Sequence, residues 1–352
     1  MACAKNLIVM AMVLGMTWGC SDRSEPPVPT PDASADAAAD APVGEVDAEP
    51  GEDASLTDSA VADATPDGSL SDGSTPDAMP MGACEGGDTY LYVLNLLDVA
   101  RVAGTVSRGF NLDGRISDGS DALSCNKTDF RSPRGVEGID NQLQALIPTL
   151  ERLSEVNIST SIRESIASGT LLVLLQLEHV DSLVSDECVT MSVLTGKLPA
   201  GVTAPRLDAA GRLEAGQTFD VSRASYGADM EPMIYVEGAS IASGVLTASG
   251  FDLSLPIPAG SAGTISLVSR SSQVEARVSA GALQAGSLGG AVRTSELGPA
   301  LGSLMLDVPV STILLLVGLE TDLEKSGRTC GALSAALELG GVSAVMGAIT
   351  AP

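Results

Sequence analysis

The chain has 352 residues and a formal net charge of −26 at pH 7, and aromatic residues make up only 3% of it. So large a surplus of carboxylates repels a phosphate backbone, which argues against nucleic-acid binding. The single tryptophan, Trp18, falls within the first twenty residues, so the rest of the chain has no indole on which a sugar ring could stack. A carbohydrate-binding function is therefore disfavoured as well.

Residues 1–20 have the pattern of an export signal. Lys5 supplies a positive start, an uncharged apolar run covers residues 7–16, and Gly19 and Cys20 close the segment. The run is too short to be read as a membrane-spanning helix. A cysteine directly after glycine at the end of such a run resembles the lipobox of bacterial lipoproteins.

That resemblance implies cleavage before Cys20, acylation of Cys20 and a lipid-anchored mature protein. Thr17 and Trp18 stand where the family has an aliphatic and a small residue, and an ordinary signal-peptidase site after Gly19 is the alternative. Ser21 after the cysteine, rather than Asp, favours the outer membrane of a Gram-negative cell. The predicted localisation is thus the cell envelope, with the domain facing either the periplasm or the exterior.

Residues 21–83 form a segment of very low complexity. They contain 15 acidic residues against Arg23 alone, and nine prolines, but no aromatic residue. Such a composition cannot bury enough apolar surface to offset its chain entropy, and its charges repel one another. The segment is predicted to be a disordered, extended stalk.

Composition changes at Cys84, and residues 84–352 are predicted to form one β-rich domain with a net charge of −13. A first strand is predicted over residues 89–97 and a second near 100–107, before a loop over 109–138. A helical insertion is predicted over about 139–168. Its first helix carries an apolar stripe with the spacing of one helical face, which comprises Ile139, Leu143, Leu146, Ile147 and Leu150.

The second helix of the insertion is predicted over residues 158–168, with Ser161 and Glu164 as a capping box and Gly169 as its end. From residue 170 the pattern becomes that of strands, with Gly and Pro every 8 to 12 residues. A further helix is predicted from Pro309 to about Lys325. Residues 330–346 are predicted to form a last strand, with a helix of small residues as the alternative. The predicted fold class is α+β and β-rich: an antiparallel β-sandwich or barrel-like domain with flanking helices, of which we favour the sandwich, preceded by the disordered acidic linker.

Four cysteines remain after the leader, namely Cys84, Cys125, Cys188 and Cys330. An even number of cysteines in an exported chain predicts two disulfides, for which three pairings are possible. We favour Cys84–Cys125 and Cys188–Cys330. Zinc is not predicted, because the domain has no CxxC pair and a single histidine.

Oxygen-bearing side chains recur through residues 109–121. Oxygen ligands at alternate positions, followed by a turn glycine, suit a short loop that wraps a hard cation. The run resembles calcium loops of the EF-hand and dockerin type, although Gly109 and Ser120 stand where the first and last carboxylates belong; Asp129 or Asp140 could complete a different set of ligands. The candidate calcium ligands are Asn111, Asp113, Ser117, Asp118 and Asp121, but the favoured interpretation is a solvated loop of Asx turns.

No catalytic constellation is predicted. His179 is the single histidine, it falls inside a predicted strand, and the chain has no GxSxG nucleophile elbow. The domain cysteines are expected to be oxidised, which argues against a cysteine nucleophile. The chain is therefore predicted not to be an enzyme, with a secreted hydrolase dependent on His179 as an alternative.

Two short strings, at residues 109–114 and 138–143, resemble uncharacterised Gram-negative surface lipoproteins with an Asp/Ala/Pro stalk; the resemblance implies no known activity. The leading hypothesis is a lipid-anchored envelope protein that presents a β-rich domain for a structural or interaction role, with an unidentified protein or apolar ligand as partner. A second hypothesis is a carrier of an apolar ligand, because an aliphatic sheet with helices can enclose a lipid-sized cavity.

Overall fold

The structure is a computed structural model, which describes residues 84, 86–154, 157–258, 263–302 and 308–351. The predicted leader (1–20) and the predicted disordered linker (21–83) lie outside the described residues. The described residues all belong to one unit, Ser74–Pro352.

Ten strands and four helices follow one another in the described part of the chain. The strands are β1 (Asp88–Val99), β2 (Val173–Val180), β3 (Ser185–Lys197), β4 (Gln217–Ser222), β5 (Tyr235–Ala242), β6 (Val245–Pro258), β7 (Thr264–Ser279), β8 (Ala282–Arg293), β9 (Leu323–Ser326) and β10 (Thr329–Thr350). The helices are α1 (Leu143–Ser154), α2 (Ile158–Ser168), α3 (Thr294–Gly302) and α4 (Val310–Glu320). The prediction of a β-rich fold with flanking helices is confirmed. None of these helices is long and apolar enough to cross a membrane.

Eight of the strands close into a ring through antiparallel pairs. The order around the ring is β1, β2, β3, β5, β6, β7, β8 and β10, and β10 pairs with β1 to close it. Closure leaves a barrel-like sheet rather than the favoured sandwich. β4 stands outside the ring, antiparallel to the end of β3 and parallel to the C-terminal half of β10.

The helices gather at one end of the ring. The β1–β2 connection contains α1 and α2, and the β8–β10 connection contains α3, α4 and β9; in an antiparallel ring both leave from the same end. α2 packs against β1 and also against β6, which lies across the ring from it. Its buried Ile162 and Ile166 therefore cover this helical end. Short turns at residues 181–184, 243–244 and 280–281 mark the opposite, turn end.

Both faces of the first three strands are buried. Leu175 and Met191 line the interior of the ring. Their outward neighbours Leu174 and Leu194 are 0% and 2% exposed, and they share one core cluster with Phe219 of β4. Burial on both faces explains why these strands read as continuous apolar runs rather than as alternating ones.

Several local predictions were wrong. Residues 100–107 form isolated bridges rather than a strand, and α4 ends at Glu320, ahead of the unpredicted strand β9.

The cap of α2 is Asn157, whose side chain accepts a hydrogen bond from the Thr160 amide at 2.8 Å. Ser161 lies one turn inside the helix, because its amide already donates to the Asn157 carbonyl. Gly169 ends α2 in the left-handed conformation, as predicted.

The favoured disulfide pairing was also wrong. The structure joins Cys84 to Cys188 and Cys125 to Cys330, with Cα–Cα distances of 5.4 and 6.1 Å. Cys84 precedes β1 and Cys188 lies in the first half of β3, so both are at the turn end. Cys125, in the β1–β2 connection, and Cys330, at the start of β10, are at the helical end. Either favoured pair would have had to span the length of the ring.

Candidate functional site

The five predicted calcium ligands are engaged in hydrogen bonds of their own loop. Asp113 accepts from the Arg115 amide and the Ser124 hydroxyl, and Asp121 forms an ion pair with Arg115. Asp118 accepts from the Ser120 amide and hydroxyl.

The other two predicted ligands behave in the same way. The Ser117 hydroxyl donates to the Lys127 carbonyl, and the Asn111 side-chain amide donates to the Arg115 carbonyl. Among the described residues, no three acidic, histidine or cysteine side chains are placed to hold a metal ion. Calcium binding stays a prediction, without support from this arrangement.

A group of carboxyls lies beneath this loop at the helical end. Asp140 is 2% exposed and accepts from the Leu112 amide at 2.6 Å. Burial is the main cause that raises the pKa of Asp140 to about 8, and the charges of Asp322, Asp113 and Asp129 raise it further. The hydrogen bond from the Leu112 amide lowers the pKa, but by less than burial raises it. Burial likewise raises the pKa of Asp322 to about 7, although the Ser334 amide and hydroxyl both donate to it.

His179 lies at the turn end, far along the ring from these carboxyls. Its Nδ1 is 3.1 Å from the Gly86 carbonyl oxygen, and its backbone has a positive φ of 62°. In the part of the chain that the structure describes, no carboxylate or hydroxyl forms a hydrogen bond with its ring. Within the described residues, this geometry gives acid–base catalysis by His179 no support.

The interior of the ring encloses a small apolar cavity. Its volume is about 30 Å³, and its lining is wholly apolar, including Leu94, Leu175, Met191 and Phe251. That volume is about a tenth of the smallest small-ligand pockets, which measure roughly 300 Å³, so an acyl chain does not fit in it. The ring is thus a packed core in this structure.

A much larger cleft, lined by both charged and apolar side chains, lies on the outside of the ring. Its volume is about 460 Å³, within the range of small-ligand pockets. The floor is the outer face of β6, β7 and β8, because Val274, Ala276 and Val278 of β7 are buried inward while Glu275 and Arg277 line the cleft. The walls are residues 108–111 and parts of 132–139, from the β1–β2 connection.

The walls of the cleft are held by several independent contacts. Phe110 bridges to Asp140, and Phe130 to Ile139, through backbone hydrogen bonds. The Cys125–Cys330 disulfide ties the same segment to β10. Gly109, in the wall, has φ of +142°, and an added Cβ would lie 3.1 Å from the Asp140 carbonyl oxygen. This segment is therefore pinned against the sheet on which the cleft is built.

Three arginines and one glutamate line the cleft, so its lining carries two net positive charges. Arg134 holds both Glu275 oxygens, at 2.7 and 2.6 Å. Arg108 donates to the Ala285 carbonyl at 3.1 Å, and its Nε lies 3.6 Å from Glu338. Arg277 is exposed and, among the described residues, has no ion-pair partner.

A β-bulge in the sheet and an unsatisfied polar atom in the loop both lie at the cleft. Between the pairs Glu275–Ser287 and Arg277–Gln284, β8 has one residue more than β7, which is a β-bulge. Ala285 within this bulge has a positive φ of 50°, and its carbonyl meets Arg108. Asn111 contributes a buried Oδ1 that accepts no hydrogen bond from the described residues. Strained and unsatisfied groups of this kind are concentrated at functional sites.

The sequence predictions missed this cleft. Asn111 was predicted as a calcium ligand, and Arg108, Arg134 and Arg277 were not predicted at all. Arg108 and Arg134 come from the β1–β2 connection and Arg277 comes from β7, far along the chain, so no local spacing links the three.

In comparisons with known proteins, no family model, no curated protein and no solved structure matches this chain.

Proposed function

We propose that this chain is a lipid-anchored cell-envelope protein whose β-rich domain binds an anionic ligand in the arginine-lined cleft, without a catalytic role. The leader pattern and Cys20 support the anchor. The acidic composition of residues 21–83 supports a tether between the anchor and the domain.

The observation that carries the binding role is the sign of the charge in the cleft. Residues 84–352 have a net charge of −13, yet the cleft lining is positive and includes Arg277, which has no ion-pair partner among the described residues. A concave site whose lining has a surplus of one sign of charge concentrates ligands of the other sign. Recognition of an anion is therefore the chemistry that this cleft suits best.

The carrier and hydrolase alternatives have less support. A cavity of about 30 Å³ is too small for a lipid. Among the described residues, the hydrogen-bond partner of the His179 ring is the Gly86 carbonyl oxygen, which gives the hydrolase alternative no support.

Binding in the cleft can be tested with a panel of small carboxylates, phosphates and sulfates at millimolar concentration. At least one class should raise the melting temperature of residues 21–352, because a ligand that binds the native state alone stabilises it. Arg277→Ala should abolish the rise. Arg163→Ala, on the exposed face of α2, is the matched control and should keep it. An equal rise in both variants, or no rise with any class, would count against the proposal.

A further inference from the structure

We infer that the ligand of the arginine-lined cleft is an acidic peptide segment, whose carboxylates engage Arg277 and displace Glu275 from Arg134. This inference rests on the proposed anion-binding function and names the class of its ligand. Four features of the cleft favour a peptide over other anions.

The first feature is the ion pair already present. One nitrogen of Arg134, Nη2, donates to both oxygens of Glu275, so the guanidinium already lies where it can bind a carboxylate in the cleft, and its other nitrogens form no hydrogen bond with Glu275. The Arg134 and Glu275 side chains are 67% and 28% exposed. Exposed pairs of this kind contribute little to stability, so a carboxylate from a ligand can replace Glu275 at small cost.

The second feature is Arg277, which lies beside that pair and has no ion-pair partner in the described part of the chain. Glu275 and Arg277 are two residues apart on one strand and point to the same face, which places them roughly 7 Å apart along β7. A ligand with two carboxylates at a similar separation can engage Arg134 and Arg277 together. Acidic residues two apart in an extended peptide have this separation.

The third feature is the unsatisfied acceptor. The Asn111 Oδ1 is buried in the cleft wall and, within the described residues, receives no hydrogen bond. This atom is closed to solvent in the structure, so a ligand N–H group reaches it only when the Asn111 side chain turns towards the cleft, which gives the acceptor the donor that it lacks. Peptides carry an amide N–H at nearly every residue, whereas phosphate monoester dianions carry no donor.

The fourth feature is the apolar part of the lining. Phe110, Pro133, Val136, Ile139 and Val245 face the cleft together with the charged groups, and Val136 is 55% exposed. Apolar surface here suits the aliphatic side chains of a peptide. A small inorganic anion would leave it uncovered.

The test uses residues 21–352 and a blocked pentapeptide, acetyl-Leu-Asp-Ala-Glu-Leu-amide, with the Asn/Gln version of the same peptide as the matched ligand. Calorimetric titration should show binding of the acidic peptide and at least tenfold weaker binding of the amide version. Arg277→Ala and Arg134→Ala should each weaken binding about tenfold. Glu275→Gln should tighten it severalfold, because it frees Arg134 without removing the side chain.

Two variants and one salt act as controls. Arg163→Ala and Glu164→Gln alter exposed charges on α2 and should leave the affinity unchanged, and circular dichroism checks that each variant is folded. Inorganic phosphate, titrated in parallel, separates the two proposals.

Each outcome has a consequence. Tighter binding by Glu275→Gln with loss in Arg277→Ala supports the acidic peptide. Phosphate binding that depends on Arg277, without peptide binding, overturns this inference and leaves the anion-binding proposal standing. Peptide binding that is equal in Glu275→Gln, Arg277→Ala and the unaltered protein overturns it, because the peptide then binds elsewhere. If neither the acidic peptide nor phosphate binds, this inference is wrong. The anion-binding proposal is then wrong for carboxylate peptides and for phosphates.

Discussion

At the scale of single residues, the most unusual groups are the two aspartates buried at the helical end of the ring. An isolated carboxylate is costly to bury, and its neighbours here are further carboxylates rather than arginines. Burial is the first cause of the raised pKa of both Asp140 and Asp322. The Asp140 carboxyl also accepts a hydrogen bond from the Leu112 amide. Leu112 directly follows Asn111, which lines the cleft.

The raised pKa values predict that the folded domain loses stability between pH 5 and pH 8. An unfolded aspartate has a pKa near 3.9, whereas the folded pKa is about 8 for Asp140 and about 7 for Asp322. Between these limits the native state binds more protons than the unfolded state, so its free energy of unfolding falls as pH rises. The stabilising effect is complete below pH 4 and is lost as pH passes through 7 and 8.

Thermal melts of the unaltered protein should therefore show a midpoint several degrees lower at pH 8 than at pH 5. Asp140→Asn keeps the acceptor for Leu112 but cannot ionise, and should reduce this difference. Glu164→Gln, at an exposed position of α2, is the control and should not. A midpoint that rises towards pH 8 in the unaltered protein would contradict the assignment.

At the scale of elements, α2 shows how a local signal is displaced by one turn. Its sequence contains a Ser161–Glu164 pair with capping-box spacing, yet the helix begins at Ile158 with Asn157 as its cap. Starting there places Ile158, Ile162 and Ile166 on one face, and the last two are buried against the ring. The burial of that stripe decides between two possible caps.

Replacement of the two residues should have different effects. Asn157→Ala removes the acceptor for the Thr160 amide and should destabilise the domain by about 1 kcal/mol. Ser161→Ala, inside the helix, should change stability by less than about 0.5 kcal/mol, because alanine is the better helix former. Urea unfolding midpoints compare the two. A larger loss in Ser161→Ala would mean that the helix starts at the predicted capping box.

At the scale of the whole molecule, ring closure separates two kinds of surface. The turn end carries Cys84, where the described domain begins, and its tie to β3 through Cys188. The helical end carries the long connections, one of which supplies the walls of the cleft. A packed interior and an external cleft together favour recognition on the surface of the ring over storage inside it.

The proposed anchor belongs to this scale too. In a bacterial expression host supplied with an alkyne-tagged fatty acid, the chain should be labelled and should sediment with membranes, because several acyl chains together bind a bilayer stably where one does not. Cys20→Ser should lose the label and the sedimentation, and Cys3→Ser should keep both. Labelling that persists in Cys20→Ser would place the lipid elsewhere.

The sequence by itself determined the features that depend on neighbours within a few residues. The β-rich class, the helices near residues 143–168 and the stop at Gly169 follow from periodicity and from glycine's tolerance of positive φ. Such signals are local free-energy preferences, which a short window of residues already contains.

Only the tertiary structure decided the closure of the ring, the disulfide pairs and the cleft. Cys125 and Cys330 are 205 residues apart. They meet because β1 ends and β10 begins at the helical end of the ring, and these two strands are paired. Arg108, Arg134 and Arg277 likewise meet because the β1–β2 connection folds over the outer face of β7. These contacts depend on the register and stagger of strands distant in sequence, and that register is set by burial of the whole core rather than by any pattern within one segment.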